Sequence, residues 1–401
     1  MASSSASGRA REVATSTTGP SPGSGTEASP ASNTNQPGSA SSLWFQLGIG
    51  ENGGVTYNGP TSRFHAVSLE ENQLEDEPAM EMPDPGHVET LHSQYALMDS
   101  VWLPLIAAKP VMGNTGVDTN TGMTLLDIYW TWLHPLHNCV YCPSLVMDLA
   151  LGGPYCSDFL LMCIFGLAAR HLPEQHLGIH GINNGEHFII QAKKLLLEEM
   201  SRPTPSIPTI QGLLILSGRQ CATGRSSEGW LYTGMAIRMM QDTGLHLDTT
   251  TLARLERWTP AEIETRKRLY NSAYIWDKTL SLALGRPPTL TRAPCPSKEI
   301  LDKFDDERLW RPIHASEIIE TFSPSPAWNT STFCAFCSLH EITTNVMMLF
   351  SNTERTESFP LQIEELDAQF QQWYRGISTP LKIDDTASME QSPPPHIVSL
   401  K

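Results

Sequence analysis

The densest set of candidate ligands in the sequence is His134-Pro135-Leu136-His137-Asn138-Cys139-Val140-Tyr141-Cys142. Imidazole and thiolate are the side chains zinc prefers, so His134, His137, Cys139 and Cys142 pose a metal site. The spacing H-x2-H-x-C-x2-C, with a proline inside it, is tighter than a tetrahedral zinc module takes. Structural packing is therefore the expectation for these four residues. Cys156 with Cys163, and Cys334 with Cys337, are further fragments that do not assemble with the first. A zinc cluster that reads DNA also carries Lys and Arg among its cysteines, and residues 110–169 contain neither.

Asp277 is the second candidate, a carboxylate on an apolar helix face beside Trp276, Tyr270 and Tyr274. A bare charge there is costly, so a partner is required. Arg286, just past the helix end, and Arg238, on the preceding helix, are the expected ones, because a bidentate guanidinium satisfies a buried acid best. No second acid or nucleophile accompanies Asp277 at motif spacing, which favours an ion pair over catalysis. Residues 48–53, GIGENG, match G-x-G-x-x-G formally, but Thr56, Asn58, Gly59 and Pro60 follow where a dinucleotide site needs a helix. The motifs H-E-x-x-H and G-x4-G-K-[ST] are missing, and no Cys or Ser stands with a plausibly paired base, so no enzyme class is indicated.

Two helices must position Asp277. The first follows Ser226 or Ser227 as N-cap, carries Trp230, Gly234, Ile237 and Met240 or Gln241 on one face, and stops at Gly244. The second is announced by Thr259 as N-cap, Pro260 at the first helical position and Glu262 completing a capping box. Its apolar line, Leu269, Ala273, Trp276, Leu280 and Leu284, ends at Gly285, ahead of Pro287 and Pro288. Elsewhere, residues 186–200, 209–218, 333–350 and 361–374 are helical in period, with Ile210, Leu213, Leu214 and Leu216 facing a core. Residues 291–330 read as an irregular excursion, and no strand alternation competes with the helices.

This makes the chain all-α, with a single large helical domain over 91–378. A disordered tail, Ser/Gly/Pro-rich and then acidic, is expected over 1–90, and a short flexible tail over 379–401. Between Glu70 and Asp84 the acids are interleaved with Leu74, Met80 and Met82, a mixture read as a solvated linker or an activation-type segment. The formal charge of −16 repels a phosphate backbone, so direct DNA binding by this chain alone is not expected. Eight scattered cysteines suit reduced intracellular thiols. The longest apolar run, 159–169, is about half of what spans a bilayer, so no membrane partner is expected.

The succession GWLYTGMAIRMMQDTGLHLD and ETRKRLYNSAYIWDKTLSLALGRPPTL resembles the middle homology region, or regulatory domain, of fungal transcription factors of the zinc-cluster family. Trp230, Ala236, Arg238, Gly244 and Leu245 fit that family's first helix. Arg266 to Arg268, Tyr274, Asp277, Leu282, Gly285, Arg286 and Pro287 fit its second motif, while Asn271 stands where an aromatic is expected. The segment 124–150, running through Tyr129, Trp130 and Trp132 into the His-Pro turn, is similar to the opening of the same domain. Leu366, Phe370 and Trp373 resemble a helix downstream, and the likeness is strongest over 122–290.

The resemblance implies a nuclear transcriptional regulator with a structural and regulatory core of Trp230, Arg238, Tyr274, Asp277, Gly285, Arg286 and Pro287. It implies protein partners from the transcription machinery or a DNA-bound regulator, and a small-molecule effector. Zinc and DNA binding are implied only for a basic six-cysteine cluster, which this sequence does not contain; for the chain itself no cofactor is expected. The alternative is a helical protein that binds a small metabolite away from any promoter, or a non-functional remnant of such a regulator.

Overall fold

The structure, a computed structural model, describes residues 46–49, 55–58, 85–172, 184–247, 258–291, 301–313, 322–351, 358–383 and 392–400. Most of the proposed N-terminal tail, and with it the acidic stretch 70–84, lies outside the described residues. The described part is overwhelmingly helical. One departure from the sequence reading falls inside the proposed tail. Strands β1 (Gln46–Ile49) and β2 (Val55–Asn58) pair antiparallel, with Leu47 opposite Tyr57 and Ile49 opposite Val55. Composition hid them: β-prone residues flank an Asn52-Gly53 dipeptide, a hairpin signal outweighed by the serines and glycines around it.

The helical body begins with α1 (Pro85–Leu97), a π-helical turn Met98–Trp102 and α2 (Leu103–Ala107). Then come α3 (Thr119–Ile128), a second π-helical turn Tyr129–Leu133, the short α4 (His134–His137) and α5 (Cys142–Leu151). Helix α6 (Asp158–Ala168) is capped by the Ser157 hydroxyl, which accepts from the Leu160 amide at 3.2 Å. It is buried on every side from Phe159 to Ala168, so the longest apolar run in the sequence is the centre of the core. Helices α7 (Glu186–Met200) and α8 (Ile207–Cys221) pack on it, and α9 (Ser226–Asp242) lies along α8.

The α8–α9 approach is close. A Cβ at Gly229 would stand 2.4 Å from Cys221 Sγ, and the Ser217 hydroxyl reaches the Gly229 carbonyl at 2.8 Å. This is why the buried face of α9 is Gly229, Thr233, Ala236, Ile237 and Met240. Ile237 and Met240 are buried as expected, but the first half of the face runs through Gly229 and Thr233 in place of Trp230 and Gly234, because the close approach of α8 admits only a small and a hydroxylated residue there. The N-cap is also corrected: Arg225 holds that position, and no side chain caps the helix.

Helix α10 (Pro260–Leu284) follows its sequence signals closely. The Thr259 hydroxyl accepts from the Glu262 amide, Glu262 returns to the Thr259 amide at 2.7 Å, and Gly285 ends the helix at φ +63°. Leu269 and Ala273 are buried as expected, but so are Glu264, Thr265, Arg268, Asp277 and Lys278, so the helix is enclosed on more than its apolar stripe.

Beyond it, α11 (Phe304–Glu307), the two-residue ladder of β3 (Leu309–Trp310) with β4 (Ser325–Pro326), and α12 (Asn329–Ser351) form the excursion and its exit. Helix α12 has the length and, at 1.3, the mean hydropathy of a membrane span. Its Thr344 hydroxyl instead meets the Tyr274 hydroxyl of α10 at 2.9 Å, and Phe333 is fully buried. After α13 (Phe359–Gly376), the proposed flexible tail is corrected. A 3-10 turn at Thr379–Leu381 and helix α14 (Pro395–Val398) place Leu381, Ile383, Ile397 and Leu400 in a small core against Trp328 and Trp373. The prolines of that stretch masked four apolar anchors whose burial outweighs the missing periodicity.

Candidate regulatory site

Asp277 is 1% exposed, and its partner is neither Arg286 nor Arg238. The carboxylate takes Lys278 Nζ at 2.9 Å, the Leu290 amide at 2.9 Å and the Thr289 amide at 2.9 and 3.1 Å. Lys278 also donates to the Leu290 carbonyl and sits 4.1 Å from the centroid of the Tyr274 ring. Adjacent residues on a helix do not ordinarily face each other, so sequence spacing discounts Lys278. The chain's return after Gly285 supplies what spacing does not show: two backbone amides that fix the carboxylate beside the long lysine stem. Burial lowers the Lys278 pKa, and the Asp277 charge opposes that shift.

The other residues of the expected core divide. The Arg286 guanidinium lies 4.9 Å from the centroid of the Trp230 ring, joining the stop of α10 to α9 by a cation–π contact. Tyr274 is buried and bonded as described above. Arg238 is exposed on α9, and Pro287 is exposed beyond Gly285, so neither belongs to the buried constellation.

Sequence reasoning missed the larger node, Arg268, which it took only within the Arg266 to Arg268 match to the second family motif. Arg268 is 1% exposed. Its Nε donates to Glu264 at 2.6 Å, Nη1 to the Asn138 side chain, and Nη2 to the Asp302 carbonyl at 2.8 Å and Thr330 Oγ1 at 3.0 Å. Glu264 in turn accepts the Asp302 amide at 3.0 Å, and the Tyr141 hydroxyl donates to the Asp302 carboxylate at 3.1 Å. Asn138 offers its oxygen from a left-handed residue at φ +50°, the turn that ends α4. One guanidinium thus ties α4, α10, the chain before α11 and the start of α12. Burial would lower its pKa, but Glu264 and then Tyr95 and Asp305 raise it above its ordinary value, so the cation persists. The Glu264–Arg268 spacing of four was the legible signal. Arg266 stacks over Trp258 at 4.0 Å, so the densest basic run of the chain is spent largely within the fold.

The four expected packing residues point to different partners. His134 Nε2 is 4.0 Å from Asp305, the His137 ring meets Trp276 edge-on at 4.7 Å, Cys139 Sγ is 3.8 Å from the Tyr129 hydroxyl, and Cys142 Sγ is 3.6 Å from Met98 Sδ. Among the described residues, no three His, Cys, Asp or Glu side chains are placed to hold a metal ion. Burial raises Cys139 to about 11 and Cys142 to about 12, and lowers His137 to about 4. His134 is also pushed well below its usual range, by burial first and then by the Arg268 charge. These groups are neutral near pH 7.

A cavity of about 340 Å³ opens beside them. The two π-helical turns contribute Met98 and Trp130, α4 contributes His134, and the excursion contributes Asp305, Trp310 and Asn329. Single π-turns recur at functional sites, because they re-aim side chains out of a regular helix.

The sequence matches the family described as Fungal specific transcription factor domain over residues 126–375. It is 26% identical over 276 residues to the nitrogen assimilation transcription factor nirA of Emericella nidulans, covering 64% of this chain and 30% of that protein. It is 25% identical over 316 residues to the nitrogen assimilation transcription factor nit-4 of Neurospora crassa, covering 75% and 26%. An uncharacterized transcriptional regulatory protein of Schizosaccharomyces pombe is 34% identical over 177 residues, covering 43% and 27%. The chain therefore spans under a third of the length of these curated relatives. No solved structure matches.

Proposed function

Because the chain belongs to the fungal specific transcription factor domain family, we propose that it is the regulatory part of a nuclear transcriptional regulator, acting through protein or small-molecule contacts. The family match carries this reading, since it covers the same helices that Arg268 and Asp277 bind together. The partners are proteins of the transcription machinery or a DNA-bound regulator, and the cavity beside His134 is the place for an effector. No zinc is assigned to the chain itself, and no catalytic role to any of its residues.

DNA recognition, in this reading, comes from elsewhere than the described helices. Non-specific affinity grows with the number of phosphates that Lys and Arg neutralise. Here Arg268 is buried in its own network, Arg266 is stacked on Trp258, and the formal charge is −16. A mobility-shift selection at physiological salt, with the purified chain against random duplexes, is expected to enrich no motif. Recovery of an enriched sequence would place DNA reading within the chain and refute the partner-dependent reading.

The cavity also favours a second reading, a metabolite-binding helical protein that acts away from promoters. Recruitment of the chain to a promoter separates the two, because only a regulator alters expression there.

A further inference from the structure

We propose that the cavity between the two π-helical turns binds a small hydroxylated aromatic carboxylate, a phenolic acid, with its hydroxyl inward and its carboxylate at the mouth. This rests on the regulatory reading for its consequence, but not for the binding itself.

Two acceptors on the lining residues lack a donor. His134 Nδ1 and Asn329 Oδ1 are both buried and without a hydrogen-bond partner, on residues that border the cavity. With His134 Nε2 directed at Asp305, Nδ1 of the neutral ring is the acceptor. The Asn329 amide nitrogen is already engaged with Asp305 at 3.1 Å, which leaves its oxygen as the second acceptor. Buried acceptors without donors are uncommon and costly, and a phenolic hydroxyl supplies a hydrogen to one of the two.

The walls suit a ring. Trp130, Trp310, Met98 and Met123 all line it, a set of aromatic and thioether side chains that takes a ring. Trp310 is held by its indole N–H on the Thr131 carbonyl at 3.0 Å, an oxygen within the second π-turn, and by an edge contact to Trp132 at 5.4 Å.

The mouth carries cations. Arg311 is exposed and makes no ion pair or hydrogen bond among the described residues. Arg308 reaches Asp99 only at 3.9 Å, with both side chains well exposed, and Asp127 is an acid that also lines the cavity. A carboxylate is the complement of such a pair of guanidiniums. At about 340 Å³ the space sits at the small end of the range of about 300–1,000 Å³ for ligand sites, which fits a single-ring molecule. Trp328, at φ +54°, lies between two cavity-lining residues, Ala327 and Asn329, and a bulky residue in that region stores strain of the kind found at ligand clamps.

The probe is para-hydroxyphenylpropanoate, titrated calorimetrically into the purified chain. Phenylpropanoate serves as the analogue without the hydroxyl, and para-ethylphenol as the one without the carboxylate. Saturable one-to-one binding is expected for the first, with each analogue weaker by about tenfold or more. Arg311→Ala, on an exposed side chain that the fold does not use, is expected to weaken the acid by about tenfold and leave para-ethylphenol unchanged. Equal affinity for all three probes, no saturable binding, or an Arg311→Ala chain that binds the acid undiminished would each overturn the assignment. Selective binding by a chain that is inert at a promoter leaves the site standing and removes the regulatory reading. A chain active at a promoter that binds none of the probes does the reverse.

Discussion

Arg268→Met is expected to cost about 3–5 kcal/mol of folding stability, the range for removing one partner of a buried, hydrogen-bonded charge. The side chain that replaces it fills most of the volume, so the loss is electrostatic. Glu264 is left buried without its cation, and Asn138, Thr330 and the Asp302 carbonyl lose a donor each. Because these groups come from α4, α10, the chain before α11 and α12, the damage falls on the contacts between segments. Chemical denaturation followed by circular dichroism measures it, with Arg266→Met as the reference. Arg266 stacks on Trp258 at a partly exposed site, so its loss is expected to cost about 1 kcal/mol or less. Equal midpoints for the two variants would contradict the role assigned to Arg268.

The second large effect belongs to Asp277→Asn, at about 3 kcal/mol, since it strands Lys278 at a fully buried position. Asparagine keeps an oxygen for the Thr289 and Leu290 amides, so the charge is what the substitution removes. Adding Lys278→Met should therefore return part of the loss, because the stranded cation is gone and the amides remain served. A double-mutant cycle on unfolding free energies reads the coupling directly. Strict additivity of the two substitutions would show that the carboxylate and the ammonium do not act on each other.

These two residues also mark where sequence reading succeeds and where it stops. The capping box at Thr259 and Glu262, the glycine stop at Gly285 and the span of α7 follow from rules confined to a few neighbouring residues, and the structure has them as read. The burial of Asp277 was likewise legible, because an acid on an aromatic face has nowhere else to go. Its partners were not, since Thr289 and Leu290 arrive by a turn whose path no local rule gives. Arg268 was less visible still. It sits in a run of three basic residues whose one local sign of pairing is the spacing to Glu264, and its other partners, at 138, 302 and 330, are distant in sequence. The C-terminal anchors Leu381, Ile383, Ile397 and Leu400 escaped because prolines and polar residues dilute any period, while burial depends only on where four side chains end up. The cavity is the product of the same long-range placement, as it draws on the two π-turns and on the excursion that the sequence leaves irregular.

The regulatory reading is tested most directly by recruiting the chain to a promoter. Fused to a heterologous DNA-binding domain, with the matching operator upstream of a reporter, the wild-type chain is predicted to shift expression severalfold in either direction. The Arg268→Met fusion, at a temperature that unfolds it, is predicted to return expression to the level of the DNA-binding domain alone. Reporter output from a folded wild-type fusion that equals that of the bare DNA-binding domain, at matched protein levels, would contradict the account.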